Sequence, residues 1–181
     1  ATEKGVEVLL GAVESLLSKY PKLQVWFAGP YKHILGEERY FERLEPRIKK
    51  LESSGNWRFL GLLNPKQMVS FYQTIDMLTL PSLNSTESFG LVQIEAMMNG
   101  KPVIASNLPG VRQPVMRHRM GEIIPIGDWS ELARAIDKIT KTKSHYQVDE
   151  KELRQIYSPD AVAKAYEILF MKIKRELTSD T

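Results

Sequence analysis

The sequence has no cysteine and only three histidines in 181 residues. The missing thiols exclude both a disulfide framework and a thiolate metal site. His33, His118 and His145 lack the spacing of an imidazole metal site and read as structural or exposed. No two aspartates stand one residue apart, so the short acidic clamp that grips a divalent ion is missing. No apolar run reaches the roughly 18 residues of a membrane span, and nothing at the start has the form of a secretory signal. A soluble, cytoplasmic protein is expected. Charge of one sign is also scarce, with 25 basic against 22 acidic residues and a net charge of +3. That surplus is too small and scattered for nucleic acid as the main partner, though it suits a phosphorylated ligand or an anionic lipid surface.

What is present is ordinary globular material, 43% apolar and 26% charged, enough for one domain with a proper core. Short apolar runs alternate with longer helical patterns, the signature of a parallel sheet covered on both faces. Apolar residues at Val6, Leu9, Leu10, Val13, Leu16 and Leu17 predict a helix up to Tyr20, stopped by Pro21. Strands are expected at 23–28, 56–60, 76–80 and 102–105, with a strand or turn at 121–124. Helices are expected at 38–52, 65–73 (capped by Asn64), 91–98, 129–139 (capped by Asp128, with Glu131 at the capping-box position) and from Pro159 to about Leu177. A short helix should follow Gly110. The polar stretch Lys141 to Gln147 reads as a mobile loop. Trp26 and Met97-Met98 read as core, and Arg117-His118-Arg119 as a solvated helix end.

In open α/β sheets, ligands bind beyond the carboxyl ends of the strands, which directs attention to the loop after the third strand. It runs from Asn84 through Glu87 to Gly90 and enters a helix carrying Glu95. A glycine at the helix start leaves the N–H groups of Gly90, Leu91 and Val92 uncovered, a seat for a pyrophosphate. The two glutamates are eight residues apart, roughly 12 Å at helical rise. That is about the distance from a nucleotide's ribose to a sugar beyond its pyrophosphate, and carboxylates suit vicinal hydroxyls at both ends. Singly, Glu87 reads as an acid favouring a helix start, Glu95 as a solvated surface residue and Lys4 as a surface lysine.

The run from Glu87 to Ser106 resembles the E-x7-E signature of the large retaining glycosyltransferase family 4, which has the GT-B fold. Phe59-Leu60-Gly61 and Asp76 through Pro81-Ser82 fall where that family has matching elements, and the resemblance extends from Lys4-Gly5 to the last helix. It implies an α/β fold, a Rossmann-like three-layer sandwich with a mostly parallel sheet, filling residues 1–181 as a single nucleotide-sugar-binding domain. Glu87 would engage the donor sugar, amides from Phe89, Gly90, Leu91 and Val92 would hold the distal phosphate and sugar, and Ser88 would belong to the same donor-binding set. Glu95 would accept from the ribose hydroxyls, Leu63 would meet the nucleobase through its backbone, and Lys4 would neutralise the departing phosphate. The activity implied is hexose transfer from a nucleotide diphosphate sugar with retention and without a metal or other cofactor. It would proceed by same-face attack, with the leaving phosphate accepting the acceptor's proton.

The chain departs from the family pattern in four places. The arginine-bearing central strand before the lysine and the acceptor-binding N-terminal domain are absent. Pro109-Gly110 stands for a double glycine, and Gln113 for an acidic residue. The isolated chain is therefore expected to be inactive and to need that domain in cis or in trans, with peripheral membrane contact through the missing half. A non-catalytic nucleotide-sugar-binding module or subunit is the alternative. An epimerase would need acid–base residues not found here, and a phosphorylase a lysine-bound cofactor.

Overall fold

The computed structural model describes residues 1–32 and 34–179; His33 lies outside the described residues. The order of elements is α1 (Val6–Leu16), β1 (Val25–Ala28), α2 (Glu38–Ser53), β2 (Trp57–Gly61), α3 (Pro65–Thr74), β3 (Leu78–Leu80), α4 (Leu91–Met97), β4 (Val103–Ser106), α5 (Gln113–His118), β5 (Gly121–Ile124), α6 (Trp129–Thr142), α7 (Glu150–Ile156) and α8 (Pro159–Ser179). A single 3-10 turn, Thr2–Lys4, precedes α1. The α/β alternation read from the sequence is present, and every strand pair is parallel.

The five strands form two separate groups, β1-β2 and β3-β4-β5. Val25 stands opposite Trp57 in the first, and Val103 stands between Leu78 and Gly121 in the second. β4 is buried along its whole length, as a strand covered on both faces must be. The start of the first pair is locked by Asn56, whose Nδ2 donates to the carbonyls of Pro21 and Leu23 at 3.0 and 2.7 Å.

Between β1 and β3 lies an apolar cavity of about 1040 Å³. Val25 and Phe27 form one wall, Leu78 and Leu80 the other, with Leu9 of α1, Phe71 of α3 and Ile139 of α6 closing it. In a parallel ladder alternate residues direct their amides away from the existing partner. Each of these two strands therefore presents one unpaired edge to the cavity. The groups are joined mainly by α1. Its Leu10 and Val13 belong to the small core under α2 and β2, while Val8, Ala12 and Leu16 belong to the main core. The helix can lie close to α6 because residue 11 is glycine; a Cβ there would meet Trp129 Cγ at 2.9 Å.

Element boundaries differ from expectation where side chains do more than their type suggests. α1 ends at Leu16, not Tyr20. Asp128 caps α6 through the Ser130 and Glu131 amides, but Glu131 pairs with Arg134 at 2.6 Å instead of completing a box. Asn64 and Gln67 do complete one at the start of α3. The expected loop at 141–147 is the end of α6 followed by a 3-10 turn, tied down by buried Tyr146 donating to Glu122. Burial of that phenol, and then Glu122, push it up to about 12. α7 was not anticipated; Asp149 caps it and Leu153 anchors it in the core.

At the α1–α6 seam, Asp137 accepts from Lys19 at 2.5 Å, Tyr20 at 2.6 Å and Lys141 at 2.6 Å. Lys141, Lys19 and Tyr20, in that order, hold its carboxyl well below the usual range. A depressed carboxyl stabilises the fold above the unfolded value of about 3.9, and that contribution is lost as pH falls through the folded value. Asp137→Asn should therefore lower the melting temperature at pH 7 while flattening its decline below pH ~4, as scanning calorimetry across pH would record.

Candidate active site

The carboxyl ends of β1 and β3, the first residues of the chain and the 81–90 loop converge at one mouth of the cavity. Its rim includes Ala1, Lys4, Gly29, Pro81, Glu87 and Val92. Two local devices bring the 3-10 turn and the loop together. The Leu83 amide donates to the Glu3 carbonyl at 2.8 Å. Gly5, at φ 66°, packs so tightly that a Cβ would lie 2.0 Å from the Pro81 carbonyl oxygen. Only glycine satisfies both the left-handed backbone and that approach.

The result is that Lys4 Nζ reaches Glu87 Oε2 at 2.9 Å across 83 positions of sequence. With Lys4 47% and Glu87 19% exposed, such a pair contributes only about 0–1 kcal/mol to stability. Its importance is positional: a cation and a carboxylate stand side by side at the mouth, and no described donor occupies Glu87 Oε1. The loop is shaped locally by Asn84, whose side chain accepts from the Thr86 amide and hydroxyl at 3.1 and 2.6 Å.

Gly90 takes the left-handed conformation at φ 77° and caps α4, with no side chain bonded over the helix start. α4 is only seven residues long, so its dipole is modest and the directional N–H groups of its first turn matter more. Phe89 and Ser88 are placed through their carbonyls. Gln93, fully buried, donates to the carbonyls of Phe89 and Val111 at 2.8 Å each. The absent Cβ of Gly110 would lie 1.7 Å from the Ser88 carbonyl oxygen. The Pro109-Gly110 departure thus preserves the glycine on which the close approach depends.

Glu95 is exposed on α4, and Tyr72 of α3 donates its hydroxyl to Glu95 Oε2 at 2.7 Å. Leu91 shares that face and is 69% exposed. Leu63, past the end of β2, packs its side chain on the main core. The structure gathers Lys4 and Glu87 directly, sets Ser88 to Val92 in the adjoining turn, and puts Glu95 about one turn into α4. Tyr72 and Gln93 had no signal in the sequence, because their partners are set by packing between elements. Met97 is fully buried, His118 bonds the Tyr157 hydroxyl at 2.9 Å, and His145 is exposed. Among the described residues, no group of three metal-ligating side chains comes together, and no helix is long and apolar enough to cross a membrane.

Residues 1–157 match the family "Glycosyl transferases group 1". The chain belongs to that family. It is 36% identical over 138 residues to the D-inositol 3-phosphate glycosyltransferase of Corynebacterium jeikeium, covering 75% of this chain and 32% of that protein. Against the phosphatidyl-myo-inositol mannosyltransferase of Mycolicibacterium smegmatis it is 31% identical over 133 residues, 74% of this chain and 32% of the relative. The chain thus spans about a third of the length of these curated relatives.

Among solved structures, the sucrose-phosphate synthase of Thermosynechococcus elongatus superposes with a TM-score of 0.76 at 24% identity, over 100% of this chain and 44% of that one. The Anabaena HepE protein in complex with UDP and glucose gives 0.73 at 24% identity, over 94% and 45%. These likenesses establish the fold, a Rossmann-like domain of the GT-B glycosyltransferases.

Gly5→Ala should force Pro81 away and separate Lys4 from Glu87. The expected cost is about 1–3 kcal/mol from the positive φ alone, read as a lower denaturation midpoint. Any ligand that uses the Lys4–Glu87 mouth should weaken with it.

Proposed function

We propose that this chain is the donor-binding domain of a retaining hexosyltransferase that uses a nucleotide diphosphate sugar and no metal. The observation that carries the reading is the meeting of Lys4 and Glu87 at 2.9 Å beside the Gly90 turn, at the carboxyl end of the strands. In this reading the first-turn amides of α4 and the Lys4 ammonium hold the phosphates. Lys4 balances the negative charge that grows as the sugar leaves, and Glu87 orients the sugar through its free oxygen. Glu95 accepts from the ribose hydroxyls, and the backbone at Leu63 meets the base. Catalysis is then positional and electrostatic, with prearranged donors aimed at developing charge. Lys4 and Glu87 neutralise each other until a phosphate competes for the lysine, so the ion pair doubles as a placeholder for the ligand. The relatives' names direct the search for an acceptor to inositol phosphates and phosphatidylinositol.

The slot between β1 and β3 supports a domain reading as well. A sixth parallel strand there would satisfy both free edges and make one sheet in the order β2-β1-new-β3-β4-β5. We assign to that strand, and to a separate acceptor-binding domain in cis or in trans, the parts that make the enzyme complete. The second reading, a donor-binding module that works only with a partner, rests on this same slot. Joining a β-strand of alternating Val and Ile to Ala1 should raise the melting temperature. An unchanged or lower value would argue that the slot takes something else.

Titration with UDP-, GDP- and ADP-linked hexoses by calorimetry, in the strand-completed chain, tests the central claim; failure of all three classes to bind would overturn it. Glu95→Ala should weaken sugar donor and free nucleoside diphosphate alike, by about tenfold. Glu87→Ala should spare the free diphosphate and damage binding or turnover of the sugar donor. Equal loss of free nucleotide in both variants would refute the division of roles.

A further inference from the structure

Tyr72 is 3% exposed, and its ring meets that of Phe71 edge to face with the ring centres 5.4 Å apart. Its hydroxyl donates to Glu95 Oε2 at 2.7 Å. Glu95 itself stands exposed on α4, so without that bond its side chain would sample several rotamers. A carboxylate tied through one oxygen has a fixed plane, and its second oxygen then faces a fixed direction. No described residue donates to Glu95 Oε1.

Tyr72 also lines the cavity that Lys4, Glu87 and Val92 rim. Burial, and then the Glu95 carboxylate, push the phenol far above its ordinary range. The hydroxyl therefore remains a donor throughout the physiological range. The two helices do not need this bond to stay together: Lys101 Nζ, just past α4, donates to the Gln73 carbonyl at 2.9 Å, and both helices share the main core.

We infer that Tyr72 is a positioning residue for Glu95, and that its hydroxyl sets how sharply the site distinguishes a ribonucleoside diphosphate from its 2′-deoxy counterpart. The inference rests on Glu95 as the ribose acceptor. A prearranged oxygen receives a diol in one geometry, so loss of the 2′-hydroxyl leaves it poorly satisfied. A freely turning carboxylate adapts to the single remaining hydroxyl and discriminates less.

The test is calorimetric titration of UDP, GDP and ADP, each against its 2′-deoxy form, into wild type, Tyr72→Phe, Glu95→Ala and the double variant. For whichever base binds, Tyr72→Phe should weaken the ribonucleotide by about fivefold, bring the ribo-to-deoxy ratio close to one, and add nothing in the Glu95→Ala background. A purely structural tie would lower the melting temperature of Tyr72→Phe and leave the ratio intact, which would overturn the inference alone. Binding that ignores Glu95→Ala, or no binding of any nucleotide even by the strand-completed chain, would instead sink the reading of the site and this inference with it. Should Tyr72→Phe fail to fold, Glu95→Asp draws the carboxylate back from the hydroxyl without touching the core. It should show the same collapse of the ratio, and an intact ratio there would count against Tyr72.

Discussion

The backbone of Gly5 lies against the carbonyl of Pro81, and much of the molecule's arrangement follows from that contact. It sets where α1 begins, because the helix starts on the next residue. It brings the 3-10 turn onto the loop after β3, so that Lys4 meets Glu87. Through α1 it also fixes how the β1-β2 pair stands relative to β3-β4-β5, since that helix contributes to both apolar cores. One missing methyl group thus joins the path of the chain to the composition of the site.

The two glutamates of the motif are held by different chemistry. Glu87 faces a half-exposed ammonium that an incoming phosphate can take over. Glu95 faces a neutral phenol fixed in the core, which no ligand displaces cheaply. The first arrangement is exchangeable and the second permanent, which suits one carboxylate beside the reacting end of a ligand and one at its anchor. The exposed Lys4–Glu87 pair contributes little to folding. Stability comes from apolar burial around β4, and from the cap at Asp128 and the seam at Asp137.

The α/β alternation, most helix starts and the Glu87–Glu95 spacing were legible because they are local. Periodicity, capping residues and glycine positions act over a few residues and appear directly in the chain. Gly5 and Gly110 were visible as glycines but not as contact points, since Pro81 and Ser88 are distant in sequence. Tyr72 read as one more aromatic in an amphipathic helix, and Gln93 as a polar residue between apolar ones. The stretch 141–147 misled because its polar composition resembles a loop, while Tyr146 and the α6 hydrogen bonds hold it in place. The split of the sheet had no local signal, because which strands are neighbours is decided by packing between distant elements.

α1 is a stiff rod resting on Trp129 at Gly11, with Leu9 and Val13 facing the cavity and Lys4 just beyond its tip. Such a rod is a lever with its pivot at the indole. A tilt of about 10° there moves the first helical turn by roughly 1.3 Å, from about 7.5 Å of rise between Gly11 and Val6. That displacement is enough to part a lysine from its carboxylate. Leu9 and Val13 stand two residues to either side of this pivot, so whatever occupies the space between β1 and β3 bears on the rod at its centre. The wall of that space and the footing of the ammonium are therefore the same helix.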